Sequence, residues 1–237
     1  MNPRRTVAAT VAAAALWLAT AEVMGDASGR TGSIAGTVHF LGKPPRLGVL
    51  RVYKEQAFCG SMVPDPSLLV ASDGALKNVV VTLHGPGLER RTPSPHSIQL
   101  DNIGCRFAPH VQAAPAGSRL LLLNSDVILH DAHARIGALT LFNDGLPRWR
   151  RVVRTLRRPG VIKVICELHH AWMKAYIVVT RNRFFAVTDA RGRYAIDGVP
   201  PGSYEARFWH ERLGEMTQPV VVNAGTTQRL DTAMPRR

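Results

Sequence analysis

The chain is short of several things. Cysteine occurs three times in 237 residues, too few for a disulfide scaffold. Beyond the N-terminus no apolar run reaches the roughly 18 residues of a membrane-spanning helix, which excludes a polytopic membrane protein. Acidic residues number 17 against 30 Lys and Arg, a formal net charge of +13. Catalytic signatures are missing too: there is no Gly-x-Ser-x-Gly, no His-Glu-x-x-His and no phosphate-binding glycine loop. No strict internal repeat is visible. The rest is ordinary, 46% hydrophobic and 20% charged, which argues against a disordered or collagen-like chain. The length fits one large or two small domains with a real core.

The first residues read as an address. Arg4 and Arg5 precede a 13-residue apolar run at 7–19, and Ala19-Thr20-Ala21 supplies small residues for cleavage. Basic, apolar, then small is the secretory pattern, with cleavage expected after Ala21. Removing residues 1–21 takes two Arg and no acid, leaving 28 basic against 17 acidic residues and a net +11. The mature protein is expected in the periplasm, where disulfides persist.

The body reads as short strands at 34–41, 78–83, 119–124, 161–166, 175–180, 193–196, 204–209 and 220–222. Gly/Pro turns separate them, including Gly85-Pro86-Gly87, Pro115-Ala116-Gly117 and Pro200-Pro201-Gly202. Many short strands between such turns predict an all-β antiparallel sandwich or barrel. Residues 55–70 have room for a short helix. A boundary is expected near Arg181 to Arg183.

Sulfur and imidazole gather in two places. Cys166 closes the apolar segment 161–165, and Glu167-Leu168-His169-His170-Ala171-Trp172-Met173 follows. A thiolate, an imidazole and a thioether on one tight loop can converge on one ion. Such a set suits copper in a His2Cys site with a weak axial Met. The fourth group must come from elsewhere. The segment from Asn124-Ser125-Asp126 to His130-Asp131-Ala132-His133 offers two histidines just after a strand. Three apart on a strand, they face opposite sides, so both are not expected to bind. Zinc competes, since one Cys with two or three His would satisfy it, but it leaves Met173 without a role. A dinuclear copper site needs two cysteines on the loop, which carries one. The bland alternative is a small buried Cys beside a Trp-Met pair in the core. Cys59 and Cys105, an even pair beside one ligand Cys, read as a disulfide in an exported protein. It would close a loop of about 46 residues and stabilise by about 4 kcal/mol in the chain-entropy model.

Together with Gly104-Cys105-Arg106-Phe107-Ala108-Pro109-His110-Val111, these segments resemble exported cupredoxin-like (plastocyanin-like) proteins of the methylamine-utilisation type. The resemblance spans roughly residues 34–180. Residues 186–209 look like the small β module of carboxypeptidase regulatory-like domains. The resemblance implies a Greek-key β-sandwich with type-1 copper. Its implied ligands are His130, Cys166, one of His169 and His170, and axial Met173. Three departures stand out. The loop has one residue more than the family's Cys-x-x-His-x-Trp-Met; the short Cys-to-His spacing favours His169 over His170. Asp131 stands where cupredoxins commonly place an Asn that holds the ligand loop. A carboxylate accepts but does not donate, so the bonding around the ligands must differ. Ile165 replaces the common aromatic residue before the Cys. The expected organisation is a signal peptide at 1–21, a cupredoxin-like domain at 30–182 and a regulatory-like β module at 183–237. His110 is a candidate support for the site. His210 reads as a structural histidine paired with Glu211.

The expected function is therefore electron transfer by a periplasmic mononuclear copper protein that is not an enzyme. The alternatives are a copper carrier or store, and a metal-free β-sandwich that binds an envelope polymer or protein. Arg148, Arg150, Arg151, Arg154, Arg157 and Arg158 surround Trp149. Such a patch is compatible with nucleic acid, but export argues against that partner. A basic face suits an acidic redox partner protein or an anionic envelope surface. No small-molecule substrate is implied.

Overall fold

The computed structural model describes residues 30–45, 47–89, 96–168 and 172–236. The expected signal peptide lies outside them. The described residues are nearly all β. Its strands are β1 (Gly32–Leu41), β2 (Val49–Arg51), β3 (Met62–Pro64), β4 (Val80–His84), β5 (Ser97–Asn102), β6 (Phe107–Ala108), β7 (Val111–Pro115), β8 (Arg119–Asn124), β9 (His130–Ile136) and β10 (Leu139–Leu146). There follow β11 (Arg151–Thr155), β12 (Gly160–Ile165), β13 (Lys174–Thr180), β14 (Phe185–Val187), β15 (Arg193–Val199), β16 (Gly202–His210), β17 (Gly214–Val222), β18 (Thr227–Arg229) and β19 (Thr232–Pro235). One helical turn, α1 (Gln56–Cys59), falls in the stretch with room for a helix.

Period-2 side-chain alternation turns these strands into layers. β13 shows it best. Ala175, Ile177 and Val179 point into one core, while Tyr176 and Val178 join a second cluster on the other face. Its sheet, β10-β9-β12-β13-β7, is therefore covered on both sides. The inner face packs on Leu100 of β5 and Leu120 and Leu122 of β8, from the sheet β11-β8-β5-β6. The outer face meets Val80 of β4, Val187 of β14 and Trp209 of β16, from the sheet β14-β4-β16-β17. β4 repeats the logic: Val80 faces this junction, and Val81 and Leu83 face the next core. That core is closed by β15-β1-β18, with β19 also paired to β1. Two β-sandwiches are thus stacked as four sheets.

Two expectations need correction. The sheets are mixed rather than antiparallel: β5 runs parallel to β8, β7 to β13, and β1 to both β18 and β19. The boundary at 182/183 does not divide the cores. β1 pairs with β15, β18 and β19, and β4 pairs with β14 and β16. Ile34, Val38, Phe40, Val81 and Leu83 accordingly share a core with Phe184, Tyr194, Phe208 and Val222. Strands from before residue 89 complete the C-terminal sandwich, and the His- and Cys-bearing sandwich is inserted between them. The β2–β3 hairpin belongs to the inserted sandwich, where Val52 and Val63 enter its core. A Cys59–Cys105 disulfide, Cα to Cα 5.6 Å, fastens the hairpin there.

Candidate metal centre

The site grows from two turns at one end of the inserted sandwich. The first follows β8. Asn124 is buried, and its side-chain amide donates to the carbonyls of Ile128 at 2.8 Å and Leu146 at 2.6 Å. Its Oδ1 accepts the N–H of Asp126 at 3.0 Å. An Asn that satisfies its own turn in this way fixes the path of the following residues. Asp126 is thereby turned inward and His130 opens β9 facing the core, fully buried.

Asp126 accepts three N–H groups. Oδ1 takes Gly104 N–H at 2.6 Å, and Oδ2 takes Cys105 N–H at 2.8 Å. Oδ2 also accepts from His130 Nε2 at 2.9 Å. Because a carboxylate oxygen accepts, the ring proton sits on Nε2 and the lone pair on Nδ1. Nδ1 lies 3.9 Å from Cys166 Sγ. Burial lowers the His130 pKa, and its hydrogen bond to Asp126 opposes that shift.

The second turn is the hairpin between β12 and β13. Ile165 faces Lys174 in register, and Cys166 N–H donates to the Met173 carbonyl at 3.3 Å, closing its base. Cys166 and Met173 are both buried in the core of the inserted sandwich. Asp131 Oδ1 accepts Leu168 N–H at 3.0 Å, so this carboxylate ties the histidine strand to the hairpin loop as an acceptor. His169 and His170 lie outside the described residues. His133 faces the other side of β9, between Glu167 Oε1 at 2.7 Å and Thr140 Oγ1 at 2.8 Å.

The residues fit a metal. An ion at ordinary distances from imidazole and thiolate, about 2.0 and about 2.3 Å for zinc, links atoms up to about 4.3 Å apart. The 3.9 Å between His130 Nδ1 and Cys166 Sγ is within that reach. Met173, at the other foot of the hairpin, is buried in the same core as Cys166. A second grouping, Cys105, Asp126 and His130, has donor atoms within 4.8 Å of one another. Its sulfur is in the disulfide and its carboxylate already takes three N–H groups, so it forms the shell behind His130.

Asp126, which holds His130, is not among the ligands that the sequence suggests. Its only local signal is the Asn-x-Asp turn four residues before His130. His110 stands elsewhere, between the two sandwiches: Nδ1 faces the Lys174 carbonyl at 3.0 Å, and Nε2 faces the Glu211 carboxylate. Glu211 therefore pairs with His110, not with His210 as expected. His210 Nδ1 instead accepts Arg212 N–H at 3.2 Å. Of the arginine run, Arg154 is paired with Asp144 through Nε at 2.8 Å. Arg148 lies over the exposed ring of Trp149, 4.8 Å from its centre.

A family model of the carboxypeptidase regulatory-like domain matches residues 171–235. That span holds β13 to β19 but not β1 and β4, which complete the sheets of the C-terminal sandwich. No curated protein matches the chain. Among solved structures, a purple cupredoxin from Nitrosopumilus maritimus is 22% identical, over 35% of this chain and 98% of its own, at a TM-score of 0.31. A copper-containing nitrite reductase from Thermus scotoductus is 25% identical over 50% of this chain and 27% of its own, at a TM-score of 0.32. An amicyanin variant is 16% identical over 42% of this chain and 99% of its own, at a TM-score of 0.32.

Proposed function

We propose that the chain is an exported mononuclear copper protein that transfers electrons. In this reading His130, Cys166, Met173 and one of His169 and His170 hold the ion. The observation that carries it is the 3.9 Å approach of His130 Nδ1 to Cys166 Sγ inside a core, with the imidazole proton drawn to the other nitrogen. Copper bound there would supply a one-electron couple. The protein's part is to hold its ligands still. His130 sits on a strand, and Cys166 and Met173 sit at the two feet of a closed hairpin. Such a scaffold leaves little to reorganise when the charge changes. Val127, Leu129 and Leu168 stand exposed beside the two turns, next to the arginine run, and suit an acidic redox partner protein.

The test starts from the mature chain beginning at residue 22. One equivalent of Cu(II) is added, and visible absorption and EPR are recorded. An intense thiolate-to-copper band with a type-1 spectrum, lost in Cys166→Ala, is the expected result. A colourless protein, or a weak spectrum indifferent to Cys166, would overturn the proposal in favour of zinc or a metal-free module. Copper that binds but passes readily to a chelator, without a reversible couple, would mark a carrier.

A further inference from the structure

Asp126 is buried and its position is over-determined. Two backbone N–H groups of the disulfide-bearing loop, Gly104 and Cys105, hold its two oxygens at 2.6 and 2.8 Å. Its own N–H is held by Asn124 at 3.0 Å. What it presents outward from this cradle is one oxygen, 2.9 Å from His130 Nε2. We infer that Asp126 is the positioning residue of the metal centre: it fixes the His130 tautomer, aims Nδ1 at Cys166, and sets the balance between the two copper oxidation states. The inference rests on the copper reading for its last part only.

The chemistry follows from the geometry. A carboxylate behind a ligand imidazole fixes ring orientation and raises ligand basicity. Within a buried site its negative charge is poorly screened. A more basic imidazole and a nearby negative charge both favour the more highly charged ion, so Cu(II) gains over Cu(I). A neutral acceptor in the same place would orient the ring but lack this bias. The cradle also couples the site to the Cys59–Cys105 disulfide, because one N–H that holds Asp126 belongs to Cys105 itself.

Asp126→Asn keeps an acceptor oxygen for His130 and removes the charge; Asp126→Ala removes both. In the copper-loaded mature chain, Asp126→Asn is expected to lower Cu(II) affinity about 10- to 100-fold, with Cu(I) affinity changed less. The reduction potential then rises, each tenfold change in the ratio being about 59 mV for one electron. In the metal-free chain, 15N NMR of His130 is expected to show a single tautomer protonated at Nε2, lost in Asp126→Ala. An Asp126→Asn protein with an unchanged affinity ratio and potential would overturn the electronic role. An Asp126→Ala protein that folds and keeps the Nε2–H tautomer would overturn the positioning role. If Asp126→Ala fails to fold, the wild-type tautomer decides: protonation at Nδ1 overturns the role, and protonation at Nε2 upholds it. The metal-free readout stands even if the wild-type chain takes no copper, so failure of the copper reading and failure of this one are told apart.

Discussion

The indole N–H of Trp172 donates to the carbonyl of Cys105 across 3.2 Å. The hairpin loop that ends in Met173 is thus stapled to the half-cystine that also cradles Asp126. One short segment, Gly104-Cys105, supports both sides of the candidate centre. The disulfide locks that segment to α1, which has no buried side chain of its own to hold it.

Replacing both Cys59 and Cys105 by Ser should therefore cost more than chain entropy alone suggests. The entropic part is about 4 kcal/mol for a loop of this length. Urea unfolding of the metal-free chain measures it. The Cys166-dependent copper spectrum of the same variant should broaden, because the supports of Trp172 and Asp126 loosen together. An unfolding midpoint unmoved by the double substitution would contradict the assignment.

In a chain cut after residue 182, β1 and β4 should not fold, although every strand of the inserted sandwich is kept. β4 would lose both strands it pairs with, and β1 would keep only the isolated bridge of His39 to Ala75. Ile34, Val38, Phe40, Val81 and Leu83, all buried, would face water. Each such side chain is worth about 1.5–3 kcal/mol on burial, so five exceed the 5–15 kcal/mol of net stability of an ordinary domain at its lower end. The expected readout is loss of NMR dispersion and of amide protection for β1 and β4, with rapid proteolysis within residues 32–41. A dispersed spectrum with protected β1 amides would restore the boundary at 182/183.

That boundary shows where a linear reading fails. Strand existence is a local property: Arg-Leu-Leu-Leu-Leu-Asn at β8 is an apolar run between turns, and it is legible at its true ends. Strand partnership is not local. β1 finds β15 and β18 more than 150 residues away, and no residue in it advertises the choice. β10 is hidden for another reason. Its Asn143-Asp144-Gly145 reads as a turn, yet pairing with His133, Ala132 and Asp131 keeps it extended. β9 is masked by its alanines, which fill the core opposite larger residues without a strong strand signature. The candidate ligands are more legible because Cys166 and Met173 share one hairpin and their spacing is local. The carboxylate behind His130 is not, since its role depends on a loop contributed from residues 104 and 105.

Acid should destabilise the protein through His210. Burial pushes its pKa down to about 4; Glu211 opposes this, while His110 and Arg212 add to it. The folded state therefore binds a proton less readily than the unfolded chain, whose His titrates near 6.5. Stability is full above about pH 6.5 and falls as the pH drops towards 4, by about 1.4 kcal/mol per unit at most. The total is ~3 kcal/mol. His210→Gln, which keeps an acceptor for Arg212 N–H, should flatten this part of the profile. Urea midpoints between pH 7 and pH 4 that fall equally in both proteins would assign the acid sensitivity to another group.

The arginine run should act on rates more than on stability. Trp149 N–H donates to the Asn124 carbonyl at 3.0 Å, so the turn bearing Arg148 and Arg150 is fastened to the turn that delivers Asp126 and His130. Arg154 is already neutralised by Asp144. The guanidinium groups of Arg148, Arg150 and Arg151, nearest that turn, thus present positive charge at the metal end, where they attract an anion during its approach. With copper bound and reduced, oxidation by ferricyanide should be fast at low salt and slow steeply as salt rises, because screening shortens the reach of the field from about 30 Å at 0.01 M to about 3 Å at 1 M. Changing the three arginines to Gln should cut the low-salt rate several-fold and leave the 1 M rate nearly unchanged, since short-range contact is then all that remains. A salt dependence identical in the two proteins, measured by stopped flow, would mean that the field at this end comes from elsewhere on a chain that carries its net charge broadly.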